Sequence, residues 1–439
     1  MSKFKNKILI PGGEAIAEAM RDLYTLYDDS MIDWFAALYC HEIGGYYYSN
    51  SGRDNEGFLP DIESTAQALR FIDQSGLKGD KKNFSEVIPE WMGKDIARYI
   101  KGLQDPNGFF YHPQWTREHT DSKLSRKARD LGNGLHVLSC LGYKPTYDTP
   151  SGEKGDGLDF YGNPIAKVQT VTSDGKVEER APETAIPDNL KNKAAFLDYL
   201  DSLDIKNNSY SVGNTLTAQK RQIMYRDEVL RSEGADYSLC DILIKWLNDN
   251  QNKENGLWDE TVNYHAVNGL MKITGVYGAF GVLMPNAETA VNKAIAAMGT
   301  DEIPNAVTCV YNTWFAAERV LRHMRTLGTE ADKINSAAVL ERLRMKAPEY
   351  IRMTKDKLAV FRKSDSSFSY TPNASSANSQ GCPVAIRGTN EGDVNATIIC
   401  SSELLYYMYE SLGIREYMIP MFGKADMDRY VELLEKGRK

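Results

Sequence analysis

Apolar residues recur at intervals of three and four along most of the chain, the periodicity of helices with one buried face. Ile16, Met20, Leu23 and Leu26 mark a first helix within 13–28, and Trp34, Phe35, Leu38 and Tyr39 open a short second one. Ala66, Leu69 and Ile72 follow a capping Asp61 or Ser64, and Gly76 ends that helix. The same reading predicts helices over 84–102, 123–141, 190–203, 215–230, 237–247, 287–298, 306–327, 336–345, 394–412 and 426–436. Roughly a dozen helices in pairs result, which makes the chain all-α. The exception is 144–188, rich in Gly, Pro, Asp and Thr, where 168–177 alternates around Ser173-Asp174-Gly175 as a β-hairpin. An insertion of this length suggests a lid or the rim of a site.

A second pattern lies between the helices. Gly57-Phe58-Leu59-Pro60, Gly108-Phe109-Phe110, Gly256-Leu257-Trp258 and Ser367-Phe368 each join a turn to an aromatic or apolar pair, near a polar loop and a helix. The stretch 44–72, with Tyr46, Tyr47 and Tyr48, is the fullest copy. Helical hairpins that recur in this way cannot bury their apolar faces alone and must stack on their neighbours.

Composition narrows the class. The 439 residues, 42% hydrophobic and 26% charged, contain no apolar run long enough to span a bilayer. The four-residue apolar run before Pro11 is far shorter than the core of about 7–15 residues in a signal peptide, so a cytoplasmic location is expected. Six scattered cysteines without CxxC spacing read as free thiols rather than a metal site, and neither metal nor cofactor is expected. A net charge of -8 with no basic block argues against nucleic acid, although a local arginine cluster could still receive an anionic substrate.

The segments at 57–66, 108–110, 256–259 and 393–397 resemble the repeat of the α/α-toroid superfamily, which includes terpenoid cyclases, protein prenyltransferase β subunits and several polysaccharide lyases. The resemblance implies one α/α-toroid domain over 1–439, a barrel of about six helical hairpins, with polar loops around the mouth of a central cavity. It does not specify a reaction.

Three chemistries compete. Asp61-Ile62-Glu63-Ser64-Thr65-Ala66 resembles the DxDDTA motif of class II terpenoid cyclases, with Asp61 as the acid, but Glu63 and Ser64 depart from it and a capped helix start explains the same letters. A prenyltransferase zinc site has no matching Asp, Cys and His set. A carbohydrate-active enzyme fits the loops better, because sugars pair apolar faces with hydroxyl edges. Its candidate binding residues are Tyr46, Tyr47, Tyr48, Arg53, Asn55, Tyr111, His112, Trp115, His136, Trp258 and Arg387. Asn263, His265 and Tyr277 resemble the Asn/His/Tyr group of toroid polysaccharide lyases, which cleave uronate-containing oligosaccharides by β-elimination. A glycoside hydrolase would instead draw two carboxylates from Glu56, Asp61, Asp259, Glu391 and Asp393, about 5–5.5 Å apart for retention or about 6.5–9.5 Å for inversion. A toroid that only binds glycans is a further alternative.

Overall fold

The computed structural model describes residues 8–171 and 177–438. Helices dominate: α1 (Gly13–Leu23), α2 (Ser30–Ala37), α3 (Asn50–Arg53), α4 (Ile62–Gln74), α5 (Glu90–Gly102), α6 (Arg117–Asp121), α7 (Leu124–Cys140), α8 (Lys193–Asp201), α9 (Ser209–Ser232), α10 (Leu239–Asn250), α11 (Tyr264–Ala279), α12 (Ala287–Met298), α13 (Thr308–Leu327), α14 (Glu330–Ala359), α15 (Val394–Cys400), α16 (Ser402–Ser411) and α17 (Lys424–Gly437). Among the described residues the strands form three small antiparallel pairs, of which Val168–Val171 with Val177–Arg180 is the hairpin expected in the insertion. Its Ser173-Asp174-Gly175 turn lies outside the described residues.

The order of packing is cyclic. α4 packs on α7, α7 on α9, α9 on α11, α11 on α13, and α13 on α15 and α16, both of which return to α4. A second set of helices lies against these: α5 on α7, α10 on α9, α12 on α11 and α13, and α14 on α13 and α12. Apolar faces meet between the two sets. Leu69 and Ile72 of α4, Leu216 and Ile223 of α9 and Leu270 and Ile273 of α11 are fully buried in one continuous core.

Side-chain caps start several helices of the cycle. Asp61 accepts from the Ser64 amide at 3.0 Å, Asn208 from Ser211 at 3.3 Å, Asn263 from Ala266 at 2.9 Å and Asp393 from Ala396 at 2.7 Å. Each satisfies an amide that the first helical turn leaves open. Three of the turns between the two helix sets share one backbone device. The amides of Asp105, Asn252 and Lys363 donate to the carbonyls of Phe109, Leu257 and Ser367, each at 2.8 Å. The left-handed position inside the loop is Gly108 (φ 89°), Gly256 (φ 73°) or Ser366 (φ 64°). Gly108 is also held by space, since a Cβ there would stand 2.3 Å from the Asp148 carbonyl oxygen.

Candidate functional site: a polar cavity inside the helix cycle

The helices of the cycle are polar on the face that turns away from the core. On α4, Glu63, Gln67, Arg70 and Gln74 follow one another at helical spacing, opposite Ala66, Leu69 and Ile72. Tyr210, Asn214, Thr217 and Arg221 do the same on α9, and Thr308, Asn312, Phe315 and Arg319 on α13. These stripes meet in a cavity with two connected chambers of about 610 and 960 Å³, which share Arg70, Arg129, Asn214 and Lys272.

The smaller chamber draws on α4, α7, α9, α11, α13, α15 and α16. Phe315 and Tyr407 stack with ring centroids 3.7 Å apart, and the Arg319 guanidinium lies 4.0 Å from the Phe315 ring. Tyr311 donates to Glu403 Oε2 at 2.7 Å. Gln67 Nε2 donates to Asn395 at 2.8 Å, while its Oε1, the Asn312 Nδ2 and the Arg129 Nε are buried without a protein partner. Buried polar atoms without partners are costly, so such a wall favours a hydroxyl-rich ligand over a hydrocarbon.

Two kinds of charge border this chamber. Glu63 accepts from both Arg129 and Arg126, the latter at 2.8 Å, and from Ser379 at 2.8 Å. Burial opposes its ionisation, but the two guanidiniums outweigh burial and hold the carboxyl well below its usual range. Lys272 has the opposite circumstances. Burial first, then Arg129 and Arg319, push its ammonium down to about 7. The Lys272 Nζ stands 5.9 Å from the centroid of the Tyr210 ring. Arg129 also donates to Asn214 Oδ1 at 3.2 Å, so a guanidinium and an amide flank the lysine.

Of the residues singled out from the sequence, Tyr48 lines the smaller chamber and His136 the larger. The lyase-like group does not assemble. Asn263 is the exposed cap of α11 and His265 is exposed in its first turn. Tyr277 lies about 18 Å further along the helix axis, where its ring packs near Trp258 and its hydroxyl donates to Asn248 Oδ1 at 2.6 Å.

The five carboxylates do not face one another across the cavity either. Glu56 is exposed on its loop. Asp61 and Asp393 are buried helix caps, and burial raises both carboxyls, that of Asp393 to about 7. Asp259 accepts from Ser209, and Glu391 accepts from Ser49 at 2.8 Å and from the Ser51 amide at 2.7 Å.

The remaining binding candidates are structural or superficial. Tyr46 is buried against Tyr430, and Tyr47 donates to the Cys40 sulfur at 3.6 Å. His112, lowered to about 4 by burial, bonds the Pro60 carbonyl at 2.7 Å, and Trp115 donates to Pro383 at 3.1 Å. Trp258 donates to Leu247 at 2.9 Å within the core, and Tyr111 to Asp121 at 2.9 Å. Arg53 pairs with Asp54, while Asn55 and Arg387 are exposed.

The cavity residues that sequence reasoning passed over are Arg70, Arg129, Asn214, Lys272, Tyr311, Arg319 and Glu403. Their signal is the polar stripe opposite the apolar one within a helix that is buried on both sides. Among the described residues, no group of three His, Cys, Asp or Glu side chains is placed to hold a metal ion. No helix among them is long and apolar enough to cross a membrane. A scan against models of protein families and searches of curated proteins and of solved structures find no match to this chain.

Proposed function

We propose that the chain is an α/α-toroid enzyme that cleaves a uronate-containing oligosaccharide by β-elimination. The closed cycle of helix contacts, with further helices packed against it, supports the toroid. One observation carries the chemistry: Lys272 stands where the two chambers join, among Arg129, Asn214, Arg319 and Tyr210, with an ammonium that loses its proton near pH 7.

In this reading Arg129 and Asn214 meet the uronate carboxylate and so raise the acidity of the adjacent C5–H. The free amine of Lys272 takes that proton. The electron pair forms the C4–C5 double bond, the C4–O bond breaks, and the leaving oxygen takes a proton from the Tyr210 hydroxyl. The Phe315 and Tyr407 rings and the unpartnered Gln67 and Asn312 atoms suit the apolar faces and hydroxyl edges of flanking sugars.

The other chemistries find less support. Glu63, clamped by two guanidiniums, is a poor proton donor for a hydrolase, which leaves Glu403 without an evident partner acid. Asp61 is sealed behind the wall and bonded to Ser64, and an amine in the cavity would trap the carbocation of a cyclase. The test is incubation with uronate-containing oligosaccharides under ultraviolet monitoring. Unsaturated uronate is the expected product; reducing sugar released without that absorbance indicates a hydrolase, and tight binding without product a lectin-like toroid.

A further inference from the structure

The larger chamber is more basic than elimination requires. Arg70 from α4, Arg129 from α7, Lys220 and Arg221 from α9, Lys272 from α11 and Arg319 from α13 line it, with Lys144 and Lys154 from the inserted segment. Glu153 is the one carboxylate in its lining among the described residues. Glu153 pairs with Arg221 at 3.4 Å, and Lys154 is occupied by Asp148 at 2.7 Å. Arg129 is paired with Glu63, and among the described residues the other cations form no ion pair with a carboxylate. Arg70 donates to the Asn133 amide oxygen at 2.8 Å and Arg319 to the Met271 carbonyl at 2.8 Å.

This concentration of positive charge arises in a protein whose net charge is -8, so it is local and not a property of the whole surface. Like charges enclosed together oppose folding. Four helices, α4, α9, α11 and α13, nevertheless each contribute a cation without an ion pair to the same space.

We propose that the larger chamber binds a phosphoryl ester group in its dianionic form. Uncompensated cations from four helices exceed what one carboxylate can satisfy, whereas a phosphoryl group offers three terminal oxygens and two charges. The inference rests on this chamber alone and holds whether or not the protein performs elimination.

Binding has a proton signature. Burial, then Arg319 and Arg221, lower the Lys220 ammonium to about 8. His136 from α7, lowered to about 4 by burial and then by Arg70 and Arg221, faces the same space and stays neutral. A dianion set among these groups raises the pKa of Lys220 and of Lys272, which lies at about 7 on the same chamber, so at pH 8 the complex takes up protons that the free protein lacks.

The test is calorimetric titration of the full chain with methyl phosphate at pH 8, in buffers of low and high ionisation enthalpy, with methyl sulfate as the monoanionic control. The K220Q/R221Q double variant provides the comparison, and its thermal unfolding checks that it is folded. Methyl phosphate is expected to bind with net proton uptake, at least about tenfold more tightly than methyl sulfate, and the double variant to weaken it by at least about tenfold. Absence of methyl phosphate binding, equal affinity for methyl sulfate, or unchanged affinity in a folded double variant would each overturn the assignment.

Discussion

α7 borders two kinds of buried charge. In its first turns Arg126 is completely enclosed between Asp130 and Glu63, with Ser379 completing the set, so opposite charges answer one another. On the neighbouring face Arg129, which shares Glu63 with Arg126, opens onto the cavity, where among the described residues Lys272, Arg319 and Arg70 form no ion pair. The first cluster ties the starts of α4 and α7 to the 376–382 loop. The second opposes stability, and its reason has to be sought in a ligand.

The sharpest way to break this contrast is to remove one member from each cluster. Arg126→Leu leaves Asp130 buried without its guanidinium and Glu63 with Arg129 alone, and should cost about 3–5 kcal/mol of stability in urea unfolding. A loss well below that range would mean that the cluster does not hold the helix starts together. Lys272→Met removes a cation that burial already disfavours. It should leave stability at pH 6 equal or higher by about 1–2 kcal/mol while abolishing turnover.

The pH dependence sharpens the same point. Lys272 deprotonates at about 7 in the folded chain, below its ordinary value, so between the two the unfolded chain binds more protons. Its contribution to stability therefore rises with pH from about 7 to about 10.4 and is flat below that window. Comparing the unfolding free energies of wild type and Lys272→Met across this range isolates the slope. The same group sets activity: kcat should rise as pH increases through the Lys272 pKa, because the free amine is the base. The smallest effects are expected from exposed candidates: His265→Ala, Glu56→Ala and Arg387→Ala should each shift stability by less than about 0.5 kcal/mol and leave turnover unchanged.

Those three residues also show where the sequence was informative. Helix periodicity, Asp61 as a cap and the recurring Gly108 and Gly256 turns were legible, because each is a local signal set by backbone geometry. The hairpin in the insertion was legible for the same reason. The site was not. Histidines and carboxylates such as His265 and Glu391 attract attention by residue type, yet one is exposed and the other serves Ser49 and Ser51. Lys272, in contrast, looks like an ordinary lysine within an apolar helix until α7, α9 and α13 place Arg129, Tyr210 and Arg319 around it. Which charges remain unanswered depends on tertiary packing, and no spacing within one helix encodes it.

The most direct measurement is the ultraviolet absorbance produced by wild-type protein and by Lys272→Met on the same uronate-containing oligosaccharides, with both proteins confirmed folded by thermal unfolding. The expected result is unsaturated uronate from the wild type alone. Equal product from the lysine variant would contradict the role of Lys272, and no unsaturated product from the wild type would contradict the elimination itself.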